Sequence, residues 1–97
     1  MRKLSETAIA QNLKTLEKWR LKEEKWIERR YRFKDYLEGI RFVNKMAEAA
    51  EEMNHHPFIT IQYKLVIVEL TSWNENGLTV LDFDVAHRYE KFYKEMV

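Results

Sequence analysis

Two adjacent histidines followed by a proline are the residues of this sequence best suited to chemistry. His55 and His56 precede Pro57, and histidine is the side chain whose ordinary pKa lets it gain and lose protons near neutral pH. The pair follows a predicted helix, whose free carbonyl groups favour a charged imidazole. Since Pro57 favours extended backbone before it, one ring should face a pocket while the other orients a ligand or a neighbour. The pair is a candidate for acid and base catalysis.

A metal site is the weaker interpretation of the same pair. Zinc needs three or four converging ligands, whereas the sequence contains no cysteine and only one further histidine, His87. His87 lies within a predicted helix with no partner at ligand spacing, so we expect it on the surface. The sequence therefore predicts neither a bound metal nor a cofactor. A structural role for the pair, as a polar helix end, stays open at this point.

Composition places the chain among folded globular proteins. Its 97 residues are 45% hydrophobic and include only two glycines and one proline, which excludes collagen-like and disordered classes. We expect one domain over residues 1–97. Because cysteine is absent and no apolar run approaches the roughly 20 residues of a membrane span, we expect a cytoplasmic protein without a membrane segment.

Charge is unevenly distributed along the chain. Residues 1–33 carry ten basic and five acidic side chains, although the whole chain has 17 basic and 16 acidic ones. A basic surface of this kind can attract nucleic acid. The segment has neither an aromatic RNA-binding motif nor a helix-turn-helix pattern, so nucleic acid is not the expected partner.

Three segments have the pattern of amphipathic helices. The first is predicted over about residues 6–17 and the second over about 36–53, where apolar side chains recur every three or four residues. Asp35 begins the second helix in the manner of a capping box. Thr79 begins the third, with Asp82 at the third helical position.

Aromatic and β-branched residues predict strands between these helices. The segment KWIERRYRF alternates in polarity and should pair with Trp19–Leu21 as a hairpin. Phe58–Thr71 reads as extended structure whose apolar positions change parity near Lys64, which predicts a bulge or a break between two strands there. Asn74–Gly77 is predicted to be a turn.

The resulting order of elements predicts an α+β fold. It is a two-layer arrangement, α-β-β-α-β-β-α, with a four-stranded antiparallel sheet and three helices packed on one face. Gly39 interrupts the second helix, and a glycine there is consistent with close packing against a strand.

The residues around the histidine pair resemble the signature of the pterin-4a-carbinolamine dehydratase family. The matching pattern is Glu51, three residues, His55-His56-Pro57, five residues, Tyr63, nine residues, Trp73, eight residues, and Asp82. Further similarity lies in Trp19, Phe33-Lys34-Asp35-Tyr36 and Gly77-Leu78-Thr79. The resemblance covers roughly residues 4–95.

This resemblance implies a hydro-lyase that converts 4a-hydroxytetrahydropterin to quinonoid dihydropterin during tetrahydrobiopterin recycling. His55 and His56 would be catalytic, one as general acid or base and the other mainly positioning the substrate, and which has which role stays open. The residues implied to contact the pterin are Glu51, Pro57, Trp73, Asp82 and Trp19. The resemblance also implies a homodimer or a homotetramer built from dimers.

Some of these residues have a second interpretation. Trp73 stands where the animal members have a third histidine; its ring does not exchange protons near neutral pH, but it can stack on a flat pterin and donate one hydrogen bond. Asp82 is predicted to cap the last helix and is also a candidate for contact with the site. Trp19 is predicted to be a core residue rather than a pocket residue, and Tyr63 a packing residue rather than a catalytic one.

The alternative function is a module that keeps the fold without efficient turnover. Such a protein would bind a pterin, or act in protein interaction or assembly. A dehydratase assay distinguishes it from the enzyme.

Overall fold

The computed structural model describes residues 2–97, with three helices and four strands in the predicted order. Their bounds are α1 Glu6–Leu13, β1 Arg20–Lys22, β2 Trp26–Arg32, α2 Tyr36–Met53, β3 Phe58–Gln62, β4 Leu65–Leu70 and α3 Val80–Met96, with a 3₁₀ turn at Trp73–Glu75. The predicted α+β class is confirmed. Within residues 2–97, no helix is both long and apolar enough to cross a membrane.

The four strands form one antiparallel sheet in the order β1-β2-β4-β3. In the centre, Ile27 of β2 pairs with Leu70 of β4, and Ile59 of β3 pairs with Val68 of β4. The apolar side chains of β2 and β4 are buried at alternate positions, so they lie on one face of the sheet. The opposite face of β2 carries the exposed Arg30 and Arg32, so the helices cover the apolar face.

The core lies between that face and the helices. Fully buried side chains from all layers meet there: Ile27, Tyr31, Val66, Val68 and Leu70 from the sheet, and Phe42, Met46, Phe83, Val85 and Tyr89 from α2 and α3. Gly39 lies against β4, because a Cβ atom there would come within 3.4 Å of Val66 Cγ2 and 3.3 Å of the Phe33 ring. The close packing predicted for this glycine is confirmed.

The second helix begins and ends where the sequence predicts. Asp35 accepts a hydrogen bond from the Glu38 N–H group at 2.8 Å. At the other end Asn54 adopts the left-handed conformation with φ 51°, and the His55 N–H group donates to the Ala50 carbonyl at 3.0 Å. This helix ending reverses the chain sharply. It therefore sets the direction in which the histidine pair leaves α2.

The first helix is shorter than the predicted 6–17. It ends at Leu13. The backbone N–H groups of Thr15 and Leu16 then donate to carbonyls three residues back, which is the pattern of a more tightly wound turn than an α-helix. The Asn12 side chain donates to the Ala8 carbonyl at 2.8 Å and Thr15 Oγ1 donates to the Asn12 carbonyl at 2.8 Å. Such side-chain bonds compete with helical ones. The tightened turn places Leu16 in the core, where it is 3% exposed.

Both predicted hairpins form. β1 is Arg20–Lys22 rather than Trp19–Leu21, because Trp19 packs in the core just before the strand. β3 and β4 are joined by a two-residue turn at Tyr63 and Lys64, so the change of parity reflects a break between two strands. Tyr63, expected to pack, is instead 68% exposed at the tip of this turn, with φ 53°.

Candidate active site

The histidine pair lines a cavity of about 320 Å³ at one end of the sheet. One wall is the segment between α2 and β3, which carries His55 and His56, and the other is the segment after β4, which carries Ser72 and Trp73. The remaining lining residues are Asn54, Asn74, Glu75, Thr79 and Leu81. The topology thus brings together two segments that the sequence places about 17 residues apart.

His55 is anchored by a buried chain of polar groups. Its Nε2 atom lies 2.6 Å from Asp82 Oδ1, and Asp82 is completely buried. The other carboxylate oxygen, Oδ2, accepts from the Ser72 hydroxyl at 2.7 Å and from the Thr79 N–H group at 2.9 Å. Asp82 therefore caps α3, as predicted, and also contacts His55.

These contacts engage the Nε2 atom of His55. An ionised carboxylate only accepts hydrogen bonds, so pairing with an ionised Asp82 assigns the shared proton to Nε2 of His55. In the neutral ring Nδ1 is then the proton acceptor. The arrangement suits an imidazole whose orientation is held by a carboxylate while its second nitrogen exchanges protons.

His56 has a different environment. Its Nε2 atom lies 2.5 Å from Glu51 Oε2, and both side chains are largely exposed, at 55% and 78%. The sequence places Glu51 one helical turn before His55, but the structure pairs it with His56. Glu51 does not line the cavity within the described part of the chain. The two imidazoles thus face the same cavity with two different carboxylate partners, one buried and one exposed.

Trp73 stands at the rim of the cavity and is 60% exposed. Its ring packs against Trp26 and Phe58, with ring centroids 5.1 Å and 5.3 Å away. Sequence reasoning missed Trp26, Phe58 and Ser72 at this site. In the sequence, Trp26 and Phe58 each stand at the beginning of a strand. That position brings them to the same end of the sheet, but this becomes visible when the strand order is known.

Two other predicted site residues are not brought to this cavity. Trp19 lies in the core, 4% exposed, with its ring 6.4 Å from that of Tyr31. Pro57 is partly buried and does not line the cavity, although it joins His56 to β3. Its contribution here is to the direction of the chain.

A larger cavity of about 580 Å³ lies elsewhere, against the C-terminal half of α3. Two of its charged side chains pair with each other: Arg29 Nε lies 3.1 Å from Glu90 Oε2, and the buried Tyr31 donates to the same carboxylate. His87 also lines it, and its ring nitrogen lies 3.2 Å from Thr15 Oγ1. His87 is exposed, as predicted. The smaller cavity, which holds the histidine pair, is the better candidate for chemistry.

Comparison with known proteins decides the family. Residues 2–92 match the family model described as pterin 4 alpha carbinolamine dehydratase. The chain belongs to this family. The family resemblance seen around the His-His-Pro block is thereby confirmed. Membership of a dehydratase family supports a lyase activity.

The chain also matches curated relatives over nearly its whole length. A protein of Picosynechococcus sp., named "Putative pterin-4-alpha-carbinolamine dehydratase", is 42% identical over 92% of this chain and 96% of its own. A protein of Sulfurisphaera tokodaii with the same name is 38% identical over 94% of this chain and 97% of its own. Each of the two alignments covers nearly the whole length of both proteins.

Two solved structures share the pterin dehydratase fold. A transcriptional coactivator/pterin dehydratase from Brucella melitensis superposes with a TM-score of 0.91 at 30% identity, covering 95% of this chain and 99% of its own. A pterin dehydratase-like protein described as a RuBisCO assembly factor in the alpha-carboxysome has a TM-score of 0.68 at 22% identity, covering 77% and 88%. The second likeness concerns the fold alone.

Proposed function

We propose that this protein dehydrates 4a-hydroxytetrahydropterin to quinonoid dihydropterin, as a hydro-lyase of pterin recycling. The observation that supports the proposal most strongly is the placement of two imidazoles at one cavity in a member of the pterin dehydratase family, with His55 held 2.6 Å from the buried Asp82. The reaction needs groups that transfer protons near neutral pH, and imidazoles do so.

The reaction is balanced by two proton movements. The bond between the 4a carbon and its hydroxyl oxygen breaks, and a proton delivered to that oxygen lets it leave as water. A proton lost from a ring nitrogen allows the nitrogen lone pair to form the new double bond. One histidine delivers the first proton and the other receives the second, so the total number of protons on the enzyme is unchanged. Proton exchange with solvent then returns each ring to its initial protonation state before the next turnover.

His55 and His56 take these two tasks in the proposal, without an order between them. Asp82 acts as a positioning residue for His55, because it holds Nε2 and leaves Nδ1 for proton transfer. Glu51 has the corresponding contact with His56. A carboxylate beside an imidazole also stabilises the positive charge that the ring acquires when it takes a proton.

The remaining proposed contacts orient the substrate. Trp73 stacks on the flat bicyclic ring at the rim of the cavity. Glu51 lies outside the cavity lining but is exposed beside His56, and it accepts from pterin amino and ring N–H groups that extend past the rim. Pro57 contributes by fixing the direction of the chain after the histidine pair. Trp19 packs in the core, so the proposal gives it a structural task.

Assembly and location are also proposals. We infer that the chain acts as one unit, residues 1–97, and forms a homodimer or a homotetramer. β3 is an edge strand of the sheet, and an edge strand offers backbone groups for pairing with another chain. A cytoplasmic location is consistent with the absence of cysteine. Nucleic acid is not part of the proposal.

A specific observation favours a second candidate, a pterin-binding or assembly module with weak turnover. Trp73 lines the cavity with a ring that does not exchange protons near neutral pH, and the similar Brucella melitensis structure is described as a transcriptional coactivator as well as a pterin dehydratase. Such a module would bind a pterin at the same cavity without accelerating its dehydration, or would act in protein interaction or assembly on the same fold.

The dehydratase assay separates the two candidates. Purified protein, without added metal or nucleotide, should accelerate the loss of 4a-hydroxypterin absorbance relative to buffer. Binding of a 7,8-dihydropterin, followed by tryptophan fluorescence, is measured in parallel. Binding without acceleration would support the pterin-binding module. The absence of both would contradict the dehydratase and the pterin-binding module.

A further inference from the structure

Three aromatic rings form a triangle outside the cavity that holds the histidine pair. The ring centroids of Trp26, Phe58 and Trp73 lie 5.1 to 5.3 Å from one another, and the Trp26 and Trp73 planes are nearly perpendicular at 85°. These distances are typical of favourable aromatic pairs. Trp73 lines the cavity, whereas Trp26 and Phe58 contact Trp73 without lining it.

The triangle joins the two walls of the cavity. Phe58 follows Pro57 directly, so it continues the wall that carries His55 and His56, while Trp73 belongs to the opposite wall. Their contact therefore links the walls on the exposed side. On the buried side the same walls are linked through the polar chain from His55 to Asp82 to Ser72.

Trp26 is itself held against the Trp73 segment. The carbonyl of Lys25, the residue before Trp26, accepts from Thr71 Oγ1 at 2.5 Å. The Lys25 ammonium group also lies 3.3 Å from Asn76 Oδ1. These bonds attach the β1–β2 hairpin on both sides of Trp73, so the position of Trp26 relative to that ring is fixed by backbone and side-chain contacts together.

Stability alone does not account for these rings. Phe58 is 51% exposed and Trp73 is 60% exposed. Much of their apolar surface therefore stays in water, and that surface contributes nothing to the free energy of folding by burial. A cluster of exposed aromatic rings beside a cavity is typical of a binding surface. The half-buried Trp26 provides the perpendicular ring against which Trp73 rests.

We propose that Trp26 and Phe58 are positioning residues that hold the Trp73 indole at the angle at which it stacks on the flat ligand of the cavity. The inference rests on the proposed function, because that ligand is taken to be a pterin. Without the two supporting rings, the exposed Trp73 side chain would sample other rotamers, and the ligand would bind more weakly while proton transfer by the histidines is retained.

The test compares substitutions that remove a ring with substitutions that keep one. Phe58→Leu and Trp26→Leu remove the ring, and Phe58→Tyr and Trp26→Phe are the matched controls. We expect the ring-removing variants to raise KM about two- to tenfold, the value of one aromatic pair, with kcat within about twofold. The matched controls, which keep a ring, should have a KM close to that of the parent. Tyr36→Leu, which removes an exposed ring far from the cavity, should leave KM unchanged.

A measurement without ligand keeps the inference separate from the proposed function. The chain has three tryptophans, so 5-fluorotryptophan labelling gives three fluorine resonances, and Trp73→Phe identifies that of Trp73. In Phe58→Leu this resonance should shift and change in width. If it responds while the parent protein neither binds a dihydropterin nor turns over, the proposed function fails and the positioning of Trp73 stands. An unchanged resonance together with unchanged KM would overturn the inference.

Discussion

His55 Nε2 and Asp82 Oδ1 lie 2.6 Å apart at the base of the cavity, and the carboxylate is completely buried. The same carboxylate holds the beginning of α3 through the Thr79 N–H group. One side chain thus fixes both a helix end and the orientation of an imidazole. Its replacement should affect folding stability and activity together.

Asp82→Asn tests this relationship, because the amide keeps the shape but presents a donor as well as an acceptor. We expect kcat of dehydration to fall about 10- to 100-fold, since a misoriented His55 loses part of the advantage of acid–base catalysis. The free energy of unfolding should fall by about 1–3 kcal/mol, because buried partners lose a charged acceptor. Asp84→Asn, an exposed change on the same helix, is the control. Equal activities of the two variants would contradict the role of Asp82.

Glu51→Gln should have a smaller effect than Asp82→Asn. The Glu51–His56 contact is exposed to solvent, and exposed ion pairs contribute about 0–1 kcal/mol. We therefore expect kcat to fall no more than about fivefold and the unfolding midpoint in urea to stay unchanged. Glu52→Gln, which breaks an exposed pair with Arg88, serves for comparison. If Glu51→Gln lowered kcat as much as Asp82→Asn does, the exposed carboxylate would matter as much for catalysis as the buried one, which contradicts this prediction.

Trp73→Ala tests the stacking role. Stacking of a flat base on an aromatic side chain contributes about 1–3 kcal/mol, so the dissociation constant of a 7,8-dihydropterin should rise about fivefold or more. Trp73→Phe keeps an aromatic face and should retain most of the affinity. Calorimetric titration measures both. If Trp73→Ala bound as tightly as the parent, the ring would have no contact with the ligand.

Tyr31 predicts how stability depends on pH. Burial, followed by the hydrogen bond to Glu90, raises the pKa of this phenol well above its ordinary value. The unfolded chain releases the proton above about pH 10, so the stabilisation is present below that pH and is lost as the pH rises further. The free energy of unfolding should decrease by about 1.4 kcal/mol per pH unit for this group.

Tyr31→Phe removes that contribution, so urea unfolding above pH 10 should depend less steeply on pH than in the parent. Tyr89→Phe should give a similar reduction, because burial also raises the pKa of Tyr89. An unchanged slope in both variants would mean that neither phenol keeps its proton in the folded chain under these conditions.

Local signals explain why most of the fold is predictable from the sequence. Asp35 marks the start of α2, and the capping arrangement of Thr79 with Asp82 marks the start of α3, since each depends on residues within one turn of the helix. The change of apolar parity between Ile61 and Val66 predicts the β3–β4 hairpin, because one face of each strand must reach the core.

Contacts between distant segments explain what the sequence does not reveal. α1 ends early because the side chains of Asn12 and Thr15 bond to backbone carbonyls, and Leu16 then enters the core. The contact between Phe58 and Trp73 depends on β3 and β4 being neighbours with a particular register. Helical spacing places Glu51 beside His55, whereas the structure pairs it with His56. The reason is that helical spacing does not show how the chain turns at Asn54, after α2 ends.

The most direct test of the central claim is the rate of 4a-hydroxytetrahydropterin dehydration by His55→Ala, His87→Ala and the parent, each verified as folded by circular dichroism. If His55 transfers a proton, its replacement should lower kcat about 10²-fold or more, and added imidazole should restore part of the loss. His87→Ala should stay within about twofold of the parent. Equal and mild effects of both substitutions, with no response to imidazole, would contradict catalysis by the histidine pair.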